Sequence, residues 1–418
     1  MMLKDKEVQT IAFAKIGKSI KFVSSFSPDG GDNEPGQLLR LLANNNPDKT
    51  FVIVGRSDFK KIDSSTRTKL FPYDNVIDVF GSGKTVIEPG IVEKRLKALG
   101  LKVDFAIFMV GQLGQVCIPN KIKQIRNPDL MTSVINMSLN YSTPILEWVN
   151  DCRVPFIEIV NDPRYTLSQS RDLIPNPFKS LSQIDSTYVK NTVRSYEDQE
   201  RVPHTIKMDY AEVEKIFLYD RGSPNQNRNR SIDMMIVLNE GNPSRYEFLK
   251  EWILNGVNDV EIYGSWEHEQ TKTDPRFVGT VQIDELQKKL TNVKFSFIIP
   301  IAPGWATSKY IELIHAGVIP FFHPSYASAV PEILNKIPSI LRPKTPADLH
   351  RTIQTFKETP GAYEKTIDAL QKSFCGETLY NGQHLNRVIM GSFISDFTQK
   401  DLRAFEKVKF IDLEGFFE

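Results

Sequence analysis

FIIPIAPGWATSKYIELIHAGVIPFFH, Phe297 to His323, joins a buried strand, a turn, an amphipathic helix and a second strand. Lys294 to Ile299 is β-branched and aromatic enough for a strand in the core, and Pro300 with Pro303-Gly304 stops it. Thr307 or Ser308 is the residue type that caps a helix, here running to about Ala316, and Gly317 supplies a left-handed stop before Val318 to Phe322 returns as a strand. The result is a βαβ unit. Its crossover puts the helix N-terminus beside the carboxyl end of the first strand, where anions bind. Glu312 sits one turn inside that helix. It either meets the ribose of a nucleotide whose phosphates rest at the helix start, or pairs with a neighbouring Lys or Arg. Spacing alone leaves both readings open.

Outward from this unit the chain alternates strands and helices, which predicts parallel sheets covered by helices. In the first half, strands are expected at Ser19 to Ser24, Thr50 to Gly55, Val103 to Val110 and Phe156 to Val160. Helices are expected after Pro35, over Gly90 to Leu99 and over Pro144 to Val149. Tyr188 to Tyr219 is mixed and polar, and GSPNQNRNR then reads as a linker. Alternation restarts with strands at Asp233 to Leu238 and Val260 to Tyr263 and helices at Tyr246 to Leu254 and Ile283 to Leu290. Pro346 to Lys357, Tyr363 to Ser373 and Phe405 to Phe416 also read as helices. The expected division is an α/β domain over 1–220, a linker over 221–230, a second doubly wound domain over 231–395, and a C-terminal helix in 396–418 crossing back to the first. Ligands are expected in a cleft between the two domains, a nucleotide on the C-terminal side and a second substrate on the N-terminal side.

Composition narrows the class. The 418 residues are 40% hydrophobic and 25% charged, as in an ordinary globular protein of two domains. No run of about 18 apolar residues occurs and MMLKDKEVQT is too polar for a signal peptide, so a cytoplasmic protein without a membrane partner is expected. Three scattered cysteines and six scattered histidines give neither a disulfide framework nor zinc-ligand spacing, so no protein-held metal is expected. Mg²⁺ needs only one or two carboxylates plus substrate phosphates and stays open. The net charge is +1, yet KDKEVQTIAFAKIGKSIK, KIKQIR and RGSPNQNRNR are basic, suited to a polyanion or to plain solvated surface.

VFGSGKT, Val79 to Thr85, ends like a phosphate-binding loop, but the first glycine of that motif falls on Asp78. A nucleotide triphosphatase is therefore disfavoured. The first strand leads into SSFSPDGGDNEPG, where Asp32, then Asp29, is the preferred general base for an acceptor hydroxyl. A solvated turn with an N-capping Asp is the competing reading. His315 reads as a packed core histidine or a cleft residue, and Trp305 as a stacking platform or a core lid.

From Val260 the order EIYGSW, DPRFVGTVQIDELQKKL, KFSFIIP, TSKYIELIHAGVIPFF resembles the donor-binding domain of GT-B glycosyltransferases. The resemblance implies a GT-B fold of two doubly wound parallel-sheet domains and a nucleotide-sugar substrate, most simply a UDP-sugar. It implies that Glu312 holds the donor ribose hydroxyls, a bidentate task for a carboxylate. Backbone groups of Phe277 to Thr280 would contact the base. Gly304 to Ser308, with Thr307 in it, would cradle the diphosphate, and Gly304 and Gly279 would allow close approach.

IEIVNDPRY, Ile157 to Tyr165, together with the GWATSKYIELIHAGVIPFF ending, is similar to bacteriophage glycosyltransferases acting on 5-hydroxymethylcytosine in DNA, in particular the arabinosyltransferase branch. That likeness implies double-stranded DNA as partner, a pentose donor and the cytoplasm of an infected host. NDPRY ends a strand, so Asp162 either orients a hydroxyl or acts as base, and Arg164 pairs with phosphate in forked geometry. An Asp cap paired to Arg is the alternative. Arg171 is a lesser candidate, and Lys309 would join Arg164 on the departing phosphates. A surface polysaccharide as acceptor and a non-catalytic DNA-binding module are the rival functions.

Overall fold

The computed structural model describes residues 9–16, 20, 22, 34–80, 90–110, 145, 148, 154, 156–160, 189–194, 205–207, 223–240, 245–281, 283–299, 309–324 and 337–375, with positions 383, 386, 389 and 390. The chain divides into two compact units, Met1–Met208 with Gly382–Ala404 and Asp209–Asn381 with Phe405–Glu418.

The first unit is a parallel sheet of seven strands: β1 (Thr10–Ile16), β2 (Thr50–Ile53), β3 (Val76–Asp78), β4 (Phe105–Val110), β5 (Phe156–Val160), β6 (Val189–Arg194) and β7 (Thr205–Lys207). Their order is β3-β2-β1-β4-β5-β6-β7, so the direction of winding reverses between β1 and β4. The first strand precedes the expected Ser19–Ser24, most of which lies outside the described residues. It is TIAFAKI, with Ile11 to Ala14 wholly buried, and of the expected segment Ile20 makes one parallel bridge to Ser57. The apolar run Ile11–Ala14 outweighs the flanking lysines, which make the whole segment read as a basic surface.

Helices α1 (Glu34–Asn45) and α3 (Ile91–Ala98) cover this sheet, and α2 (Ser64–Leu70), with no buried residue, lies at its periphery. Val92 and Leu96 of α3 pack on the face made by Ala12, Ala14, Val52, Val54, Ala106 and Phe108. The right-handed crossover from β1 to β2 leaves α1, with Leu38, Leu39, Leu41 and Leu42 buried, to the other face. Strand β3, weak in sequence, is a three-residue edge. Strands β6 and β7 are hidden in the polar stretch because short outer strands carry mixed side chains.

The second unit repeats the plan. Strands β8 (Ile232–Val237), β9 (Val260–Tyr263), β10 (Phe277–Gly279), β11 (Val293–Ile298) and β12 (Ile319–Phe322) are all parallel, in the order β10-β9-β8-β11-β12. Helices α4 (Tyr246–Leu249), α5 (Ile283–Leu290), α6 (Lys309–His315), α7 (Pro346–Glu358) and α8 (Ala362–Phe374) connect and cover them. The helix expected over Tyr246 to Leu254 starts as α and widens into a π turn at Lys250–Leu254, closed by Asn255 N–H to Lys250 O at 3.2 Å. The wider turn leaves the Trp252 carbonyl to accept from His350 Nε2 of α7 at 3.1 Å. Helix α7 starts with a capping box, Thr345 with Asp348, and Pro346 in its first turn.

The asparagine- and arginine-rich run expected as a linker is, from 223 to 230, packed onto the second unit. Arg230 is 4% exposed and donates to the carbonyls of Asn227, Leu290, Val293 and Ala316 at 2.7–2.8 Å. Arg228 pairs with Asp368 at 2.6 Å. These guanidinium groups build the unit and do not form a free basic patch. KIKQIR and Phe405 to Phe416 lie outside the described residues.

Candidate functional site

In the second unit the winding reverses between β8 and β11, the place where doubly wound sheets bind ligands beyond their carboxyl ends. Helix α6 follows β11 there. Its inner side, Tyr310, Ile311, Leu313 and Ile314, is at most 1% exposed, so burial fixes its rotation. That rotation leaves Lys309 and Glu312 half-buried on the remaining side, Nζ and Oε2 3.7 Å apart. The separation is an ion-pair distance and too long for a hydrogen bond.

The far end of α6 is clamped. Gly317 takes φ +83°, Tyr363 Oη donates to its carbonyl at 2.6 Å, and Gln371 Nε2 donates to Ile314 O at 3.0 Å. Burial pushes the Tyr363 hydroxyl up to about 12, so it remains a donor. His315 is buried in this last turn.

Across the switch, the turns after β8, β9 and β10 are laced into one rim. Asn239 Oδ1 accepts from Ser265 N–H at 2.8 Å, and Glu240 Oε2 accepts from the N–H groups of Glu267 and His268 at 2.6 and 3.0 Å. Gly264 N–H donates to Gly279 O at 2.9 Å. Gly264 has φ +144°, and a Cβ there would collide with the Leu238 carbonyl. Gly279 has φ +92°, and a Cβ there would stand in open space, so its backbone angle, not crowding, requires glycine. Tyr246 stacks on His268 at 4.0 Å, and Trp266 meets Phe277 edge-on at 5.1 Å. Val278 is half exposed beside Gly279. Sequence spacing missed Asn239, Glu240 and His268. The polar Asn-Glu pair directly after a buried strand was their one available signal.

Of the expected site residues, Glu312 and Lys309 are brought together and Gly279 ends β10 on the rim. Asp29, Asp32, Asp162, Arg164, Arg171, Gly304, Trp305, Thr307 and Ser308 lie outside the described residues. In the first unit Asp78 accepts from Ser57 Oγ at 2.7 Å and from Phe80 N–H at 3.0 Å, a carboxylate anchor where a phosphate loop needs glycine. Among the described residues no group of three His, Cys, Asp or Glu is placed to hold a metal ion. No described helix is long and apolar enough to cross a membrane.

An open hollow of about 620 Å³, lined by Tyr246, Leu254, Asn258, Thr273 and Arg276, lies beside the edge strand β10. Its guanidinium is spent on both Asp274 oxygens, at 3.0 and 2.7 Å, and on Leu254 O at 2.8 Å, so it offers no anion site.

The sequence matches no protein-family model and no curated protein. In structure the chain is similar to T4 phage β-glucosyltransferase, with a TM-score of 0.54 at 10% identity over 92% of this chain and 100% of that one. It is also similar to T4 phage BGT in complex with its UDP-glucose substrate, TM-score 0.51 at 11% identity, with the same coverage of both chains. A third similar structure is the DNA-modifying enzyme β-glucosyltransferase with and without uridine diphosphoglucose, TM-score 0.50 at 10% identity, again over 92% and 100%. At such identity the likeness is one of architecture, and the architecture of this chain is the GT-B fold.

Proposed function

We propose that this chain is a glycosyltransferase that moves a sugar from a UDP-linked donor to the hydroxymethyl group of 5-hydroxymethylcytosine in DNA. The observation that carries the reading is the placement of Glu312: half-buried, one turn into the helix that leaves β11 at the strand-order reversal, with Lys309 beside it. The carboxylate accepts the donor ribose hydroxyls while Lys309 faces the diphosphate. The T4 phage enzyme that shares the fold has UDP-glucose as its substrate, which supports a UDP-sugar here. The sugar is proposed to be a pentose such as arabinose, on the likeness of IEIVNDPRY to the arabinosyltransferase branch.

In the reaction, Asp32, or else Asp29 or Asp162, takes the proton of the acceptor hydroxyl. The oxygen then forms its bond to the sugar's anomeric carbon as the bond from that carbon to the diphosphate breaks, and the electron pair leaves with UDP. Lys309, Arg164 and the backbone of Gly304 to Ser308 stabilise the charge that develops, and Trp305 stacks on the donor. A divalent ion such as Mg²⁺ would enter on the donor's phosphates and neutralise part of that charge. A target base in duplex is extruded first, at a few kcal/mol.

The test incubates the protein with hydroxymethylcytosine DNA and a panel of UDP-sugars, arabinose and glucose included, and weighs the digested nucleosides. A gain of one pentose on 5-hydroxymethyl-2′-deoxycytidine is expected. A hexose gain corrects the sugar alone, and no gain from folded protein with any donor overturns the reading.

A further inference from the structure

The segment FKKIDSSTRTKL, Phe59 to Leu70, is a 3-10 turn, Phe59–Lys61, followed by α2, and it leaves the carboxyl end of β2. Strand β1 runs parallel to β2, so both strands end at this same edge of the sheet. Helix α2 has no buried residue. A short helix that is polar all round gains little from the core and must be held by other means.

Those means are polar and specific. Asp63 caps α2 through Thr66 N–H at 2.9 Å and Thr66 Oγ1 at 2.6 Å, and these bonds hold its carboxyl below the usual range. Arg67 lies over the Phe59 ring at 4.9 Å and donates to the carbonyls of Phe59 and Ile62 at 3.3 and 3.1 Å. Asn44 of α1 donates to Leu70 O at 3.1 Å. Beneath them Phe22, Phe59 and Phe71 meet edge to face.

The same bonds fix the two local carboxylates in place, still charged, away from the lysines. Asp63 is turned to the helix start, and Asp58 Oδ1 accepts from Phe22 N–H at 2.9 Å. Lys60, Lys61 and Lys69 are left exposed, and none pairs with a described carboxylate. Ser64, Ser65 and Thr68 add exposed hydroxyls on the same helix. Lysine ammonium and serine or threonine hydroxyl groups are the chemistry that contacts a nucleic-acid backbone without reading its sequence.

We propose that this turn and helix dock the phosphate backbone of duplex DNA, with Lys60, Lys61 and Lys69 each meeting a phosphate. The inference deepens the DNA-acceptor reading and rests on it. A rigid ridge on which Lys60, Lys61, Arg67 and Lys69 outnumber the one carboxylate of Asp63 suits a regular polyanion, and its place at the carboxyl edge of the sheet, where doubly wound folds bind ligands, lets it hold the duplex while one base is presented there.

The test measures anisotropy of a labelled hydroxymethylcytosine duplex across a salt series, for the full chain and the triple variant Lys60→Ala, Lys61→Ala, Lys69→Ala. The variant is expected to bind less tightly, and its slope of log affinity against log salt should shrink by about 2 to 3, one counterion per lost phosphate contact. Its thermal stabilisation by UDP-glucose should not change. A control variant, Lys94→Ala, Lys97→Ala, Lys102→Ala, removes equal charge from α3 and the turn beyond it, and should leave the slope nearly intact. Equal losses in both variants, or none in the first while the parent binds, overturn the docking surface and leave the glycosyltransferase reading standing. A parent protein that takes up UDP-glucose but binds no duplex at low salt overturns the docking surface and the DNA-acceptor reading together.

Discussion

Lys309 Nζ lies 3.7 Å from Glu312 Oε2, one helical turn apart on α6. The helix presents these two polar side chains together because its other faces are committed to the core. A loose pair of this kind can open toward a ligand with opposite charge at each end. Glu312→Ala should therefore weaken UDP-sugar affinity by about 2 kcal/mol, the worth of hydrogen bonds to a charged group. Lys309→Ala should weaken UDP and UDP-sugar alike, since its partner is the diphosphate. Calorimetric titration of both ligands checks this, and unchanged donor affinity in the Glu312 variant removes it from the site.

Arg230 is the hub of the second unit's underside. It donates to Ala316 O at the end of α6, to Leu290 O at the end of α5 and to Val293 O at the start of β11. Arg230→Ala leaves these buried acceptors unpaired and should cost about 3 kcal/mol in denaturant unfolding. Lysine should restore little, because an ammonium lacks the planar fork. Gly317→Ala should cost a similar amount, since its φ is +83° and its Cβ would collide with the Arg230 guanidinium. Stabilities of these variants near that of the parent would contradict the hub.

The unit from β11 to β12 is legible because its runs are short, dominated by apolar and aromatic residues, and punctuated by Pro and Gly, and the structure keeps its elements within a residue or two. TIAFAKI escapes a reading that weighs charge before burial. Strands β6 and β7, VKNTVR and TIK, show no pattern that polar loops lack. Glu240 is hard to read for a different reason: beyond its position after a buried strand, its partners are backbone N–H groups of Glu267 and His268, on the turn after another strand. Backbone partners leave no trace in residue type. Arg230 misleads for the same reason, since a guanidinium spent on carbonyls has the same letter as one facing water.

Gly264 and Gly279 both have positive φ, but their surroundings differ. Gly264→Ala drives a Cβ into the Leu238 carbonyl, a backbone atom that cannot turn aside, whereas Gly279→Ala meets nothing within 4 Å. The first should cost more than about 2 kcal/mol and loosen the rim that Asn239 and Glu240 lace, lowering donor affinity as well. The second should cost about 1 kcal/mol, the conformational penalty alone. Thermal denaturation with and without UDP-glucose ranks the two, and equal costs would contradict the crowding at Gly264.

His323 sits at the end of β12 against Trp252, Phe248 and Phe297, with ring centroids 4.9, 5.1 and 6.0 Å away. Burial pushes its imidazole down to about 4, so the folded protein holds it neutral. Above about pH 6.5 the ring is neutral in both folded and unfolded chains and contributes no pH dependence. As pH falls from there toward 4, the unfolded chain takes up a proton that the folded one refuses, and stability drops by up to about 3 kcal/mol. His323→Phe keeps a ring in the cluster and removes the titration. Carboxylates elsewhere contribute equally to both proteins, so the difference between their unfolding free energies at pH 7 and pH 4.5 isolates this residue. The variant should lose less stability over that interval than the parent, and parallel losses would show that His323 is protonated in the folded chain.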